Sequence, residues 1–64
     1  MTNLSHLNPE SFSVREAALQ VCLNEDDNAF DFAMERMTHF GTIGMPRSFQ
    51  FWFDVANTIV AIQE

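Results

Sequence analysis

SFQFWFDVANTIVAI, residues Ser48–Ile62, is the stretch that decides how this chain folds. Phe49, Phe51, Trp52, Phe53, Val55, Ala56, Ile59, Val60 and Ile62 cover far more than one stripe of a helix. Only Gln50, Asp54, Asn57, Thr58 and Ala61 remain as a weakly polar side. The aromatics of residues 49–53 would also suit a strand, but they run without a breaker into a long 3.6-residue pattern, so the whole stretch reads as helix. A helix apolar nearly all round needs burial on more than one side. A three-helix chain of this size covers one side, and a second copy packed against this helix would cover the other. The expected dimer interface is therefore Phe49, Trp52, Phe53, Val55, Ala56, Ile59, Val60 and Ile62.

Upstream of it, Gly41 and Gly44 bracket a short connection. Pro46 falls in or just before the first turn of the last helix, with Ser48 as an alternative cap. Gly41 is the expected stop of the preceding helix. In that helix Phe30, Ala33, Met34, Met37 and Phe40 recur at amphipathic spacing. Glu25, Asp26, Asp27 and Asn28 interrupt the pattern before it and read as a solvated loop, since Asp and Asn cap helices better than they fill them. The first helix has two start signals. One is Asn8-Pro9-Glu10, and the other is the S-x-x-E box of Ser13 and Glu16. Its face combines Val14, Ala17, Ala18, Val21 and Cys22, widened by Phe12, Leu19 and Leu23. The expected organisation is a loose arm over 1–8 and one helical domain over 9–64, with helices at about 9–24, 28–40 and 47–63.

Sixty-four residues allow one domain at most. Folding a chain of this mass hides roughly 6,000 Å². With about 60% of that apolar, the gain is on the order of 95 kcal/mol. Ordering the chain costs on the order of 95 kcal/mol too. A lone monomer is therefore marginal. Cys22 is the only cysteine, so no intrachain disulfide can help, and His6, Cys22 and His39 are too scattered for a metal site. Oligomerisation is what remains.

Charge narrows the function classes. Nine acids face only Arg15, Arg36 and Arg47, for a net charge of −6 without any lysine. Nucleic-acid affinity rests on cations displacing counterions, so direct DNA or RNA binding is not expected. The helix-Gly-turn-helix join does not change this, because its second helix would offer Phe49, Phe51, Trp52 and Phe53 to a groove and only Arg47 as a cation. There is no signal peptide and no membrane-length apolar run, so a cytoplasmic location is expected.

Motifs for catalysis are missing: no glycine-rich phosphate loop, zinc spacing or H-E-x-x-H. Cys22 lies among Ala18, Leu19 and Val21 and reads as a packing residue. His39, four residues after Glu35, reads as half of a helix-surface pair. An EF-hand loop begun at Asp26 fails, with Phe30 at its fifth position and Asp31 where glycine is required. No enzyme activity, cofactor or metal is expected. One charge pattern stands out. Asp27, Asp31 and Glu35 follow at i, i+4 spacing, a mildly destabilising stack. It is either a solubilising face or a docking stripe for a basic protein, and in the extreme an imitation of DNA that inhibits a nucleic-acid-binding protein.

In size, acidity, helical pattern and the stretch SFQFWFDVANTIVAI, the chain from MTNLSHLNPESF to FWFDVANTIVAIQE resembles the small early proteins encoded between the exonuclease and excisionase genes of lambda-like bacteriophages. The resemblance implies a bacterial host cytoplasm and a regulatory protein of host or phage as target. It implies a role in tuning phage development or host physiology without an enzymatic site, and it transfers no binding residues. The combined expectation is an all-α homodimer of three-helix chains acting by protein–protein contact.

Overall fold

The computed structural model describes residues 12–64, which are all-helical, with no strand among them. Helix α1 spans Val14–Glu25, a 3₁₀ turn spans Asp26–Asn28, α2 spans Ala29–Thr42 and α3 spans Pro46–Gln63. The loop expected at residues 25–28 is corrected. Helical residues form two unbroken runs, 14–42 and 46–63, and the first run is bent at its acidic centre instead of being interrupted.

Of the two start signals, Ser13 opens α1. Its hydroxyl accepts from the Glu16 N–H at 3.1 Å, while the Ser13 N–H donates to Glu16 Oε1 at 3.0 Å, a complete capping box. Ser13 itself is extended, at φ −73° and ψ 161°, so α1 does not run through from Pro9. The arm over residues 1–8 and the Asn8-Pro9-Glu10 signal lie outside the described residues.

The bend turns on Asp26, whose φ of 47° and ψ of −115° are sparsely populated for any residue with a Cβ. Its N–H closes α1 on the Cys22 carbonyl, and its own carbonyl accepts from the Ala29 N–H. The same carbonyl accepts from Gln63 Nε2 at 2.8 Å, which ties the end of α3 to the bend. With α1 and α3 meeting there, the other end of the molecule is the α2–α3 turn.

Gly44, not Gly41, ends α2. Gly44 sits at φ 75°, its N–H reaches the Gly41 carbonyl at 3.4 Å, and the Met45 N–H reaches the Phe40 carbonyl at 2.9 Å. These two bonds make a Schellman motif with glycine at the left-handed position. Gly41 lies inside α2 for a different reason: a Cβ there would stand 3.0 Å from Phe49 Cδ1. It is the gap that lets α3 approach. Pro46 then opens α3 at its first helical position, where a missing N–H costs nothing, and Ser48 lies inside the first turn instead of capping it.

Among the described residues ten form the core: Ala17, Ala18 and Val21 from α1, Ala29 and Ala33 from α2, and Phe51, Trp52, Val55, Ala56 and Ile59 from α3. The third helix supplies the bulk, while the other two present mainly alanines to it. Leu19 and Leu23 do not widen the α1 face; they are exposed, at 42% and 76%. On α2 the buried face is turned toward Ala29 and Phe32, which leaves Phe30 exposed.

Two substitutions at the chain reversals should move stability in opposite directions. Gly44→Ala forces a Cβ into the left-handed region and should cost about 1 kcal/mol. Asp26→Gly relieves a comparable strain and should raise stability by about 1 kcal/mol. Urea denaturation followed by circular dichroism measures both.

Candidate interaction surfaces

Trp52 is fully buried. Its ring meets Phe32 edge-on at 5.9 Å and Phe51 at 5.7 Å. The Arg36 guanidinium lies 5.8 Å from the Trp52 ring centre and 5.2 Å from that of Phe40. The cation of α2 thus spends its charge on aromatic faces. Arg36 Nε and Trp52 Nε1 are buried without a hydrogen-bond partner. His39 packs its ring edge-on against Phe40 at 5.2 Å.

The interface expected from the sequence divides in two. Trp52, Val55, Ala56 and Ile59 face the chain's own core, at no more than 3% exposure, and Trp52, Val55 and Ile59 are closed to a partner lying alongside. One chain covers more of α3 than its hydrophobicity suggested, because α1 and α2 flank it together. Phe49 is half-buried, and Phe53, Val60 and Ile62 are exposed at 44%, 41% and 39%.

Those survivors do not stand alone. Phe49, Phe53, Ala56 and Val60 follow i, i+4, i+7, i+11 along α3, and Phe30, Met34, Met37 and Gly41 follow the same series along α2. The Gly41–Phe49 approach puts these two rows side by side, and the short turn makes the helices antiparallel. The result is a two-helix face without a charged side chain. At its turn end an open apolar depression of about 310 Å³ is lined by Phe40, Gly41, Gly44, Met45, Pro46 and Phe49. The amphipathic spacing of Phe30, Met34 and Met37 is legible in the sequence, but it does not say that this row lies open beside the α3 row.

Asp27, Asp31 and Glu35 are all exposed, Asp27 in the 3₁₀ turn and the other two on α2. Helical geometry sets Asp31 and Glu35 about a third of a turn away from the Phe30–Met34–Met37 row. The charge of α2 and its open apolar row are thus separate surfaces.

Cys22 is half-buried, and partial desolvation, assisted by the negative charge of Asp26, pushes its thiol pKa up, away from a nucleophilic thiolate. Among the described residues no three His, Cys, Asp or Glu converge to hold a metal ion. His6 lies outside them. No described helix is long and apolar enough to cross a membrane. Comparison with protein-family models, with curated proteins and with solved structures returned no match.

The capping box makes stability pH-dependent. Hydrogen bonds from the Ser13 backbone and hydroxyl hold the Glu16 pKa below its ordinary 4.5. A lowered folded pKa gives a contribution that is present above the unfolded value and lost as pH falls through the folded one. Glu16→Gln should therefore lower stability at neutral pH, and its deficit should shrink at about pH 3 in parallel urea titrations.

The two classes of α3 residue separate by substitution as well. Trp52→Ala should cost about 3–5 kcal/mol and unfold the chain. Phe53→Ser should leave its helicity close to wild type, as thermal melts by circular dichroism will register.

Proposed function

We propose that this protein is a non-enzymatic interaction protein that modulates another protein by binding it, and that it acts as an assembled helical homodimer. The observation that carries this reading is the uncharged α2–α3 face: Phe30, Phe53 and Val60 stay exposed on it in a chain of net charge −6. Exposed apolar faces of this kind mark contact surfaces in small proteins. The resemblance to early proteins of lambda-like phages supplies the setting, a bacterial cytoplasm with a regulatory protein of host or phage as target.

The acidic stripe fits a basic protein surface better than it fits an imitation of DNA. From Asp27 to Glu35 the helix rises about 12 Å. That places one charge every 6 Å or so, whereas duplex DNA carries one per about 1.7 Å of axis. Three carboxylates are too sparse to pass for a phosphate backbone, but sufficient to steer a partner.

Capture from bacterial lysate on the immobilised full chain tests the reading, comparing wild type with Phe53→Glu and with Asp27→Asn/Asp31→Asn/Glu35→Gln. A specific partner retained by wild type and lost with Phe53→Glu is expected. The triple variant should retain that partner with slower association and a weaker dependence on salt. Equal capture by all three proteins would sink the proposal.

A further inference from the structure

We propose that a second copy of this chain covers the α2–α3 face, pairing two hairpins across a two-fold axis into a four-helix layer with each α1 outside. This rests on the interaction reading above and names the occupant of that surface.

Three observations favour the second copy. First, the face is continuous with the core: Met34, Met37 and Phe40 are partly buried and packed against the core cluster, and Ala56 belongs to both. Covering the face would finish the burial of a core in which five of the ten residues are alanine. That is the deficit expected of so short a chain. Second, its size fits. The rows Phe30–Gly41 and Phe49–Val60 each run about 17 Å along two packed helices that are together about 20 Å wide. This footprint is that of a small interface, at the low end of the range for specific protein pairs.

Third, the charge is placed for self-association. Bringing together two chains of net charge −6 would be costly if acids lined the seam. Here none of Phe30, Met34, Met37, Gly41, Phe49, Phe53, Ala56 and Val60 is charged, and Asp31 and Glu35 point away around α2. A third of a turn around a helix about 10 Å across sets each stripe about 9 Å from its own apolar row, about one Debye length at moderate salt. Repulsion across the dimer is weak and screened, while the apolar contact is not. A basic amphipathic helix, the other occupant that an acidic protein invites, would behave in the opposite way, because its attraction to the acids fades with salt.

The sign of the salt dependence therefore identifies the occupant. Sedimentation equilibrium of the full chain should show a dimer that tightens from low to high sodium chloride. Phe53→Glu buries an unpaired charge in the seam and should raise the dimer Kd by about a hundredfold or more at wild-type helicity. Asn57→Glu, at an exposed position beside Phe53 and Val60, does the same without touching the core. A wild type that stays monomeric at high micromolar concentration in both salts overturns the proposal, as does a dimer indifferent to both variants. A monomer that binds a synthetic Leu/Lys helical peptide, more weakly as salt rises and not at all with Phe53→Glu, assigns the face to a basic helix. It removes the second copy, and the homodimer with it, and leaves standing the reading that the protein acts by binding another protein. If lysate capture also fails, that reading falls with it.

Discussion

Removing the Trp52 indole from water is the constraint around which the other elements are sized. An aromatic side chain of this kind buries on the order of 200 Å², worth about 5 kcal/mol of transfer free energy. That is comparable to the whole net stability of a small domain. Ala17, Ala18, Ala29 and Ala33 make room for it, because larger residues there would hold α1 and α2 away from α3. The cost is a pair of buried donors, Trp52 Nε1 and Arg36 Nε, without acceptors. The guanidinium offsets part of that by resting on the Trp52 and Phe40 rings.

Large-on-small packing requires the chain to reverse tightly at both ends, and each reversal has its own device. At the α2–α3 turn Gly44 takes the left-handed conformation while Gly41 admits Phe49. At the α1–α2 bend no glycine is present, so Asp26 holds the unusual backbone and its outturned carbonyl is caught by Ala29 and Gln63. The Gln63 bond joins residues far apart in sequence, so the strain at Asp26 is held in part by the packing of α3.

How much of this was legible in the sequence follows from which signals are local. The Ser13–Glu16 box and Pro46 at a helix start are contained in a few residues, and both operate as read. The sequence favours Gly41 as the helix stop because it follows the last periodic residue, and only the position of Phe49 shows it to be the packing glycine and Gly44 the conformational one. The 25–28 segment was read as a loop because Asp and Asn favour caps, but a 3₁₀ turn also tolerates them and keeps the run helical. Of the apolar residues on α3, the fold buries Trp52, Val55, Ala56 and Ile59 and leaves Phe53, Val60 and Ile62 exposed, a division the sequence does not show. Hydrophobic periodicity weighs Trp52 and Phe53 alike, and the alanine faces that single out Trp52 for burial carry almost no hydrophobic signal of their own.

That same alanine-rich packing links stability to association. Helices that present alanine to α3 can nestle against one side of it, but their side chains are too short to reach round to Phe53 and Val60. The small residues that solve the burial of Trp52 thus create the open row beside it. Ala56 shows the continuity, buried at 3% exposure yet lying in register between Phe53 and Val60. A surface so placed cannot be covered without also completing the core, so whatever binds it stabilises the fold by mass action. Because Asp31 and Glu35 are set about a third of a turn around α2, the apolar row can be covered without placing a carboxylate at its centre, and the charged stripe stays in solvent for a different encounter. One helix pair therefore offers two surfaces of opposite chemistry that can be occupied together.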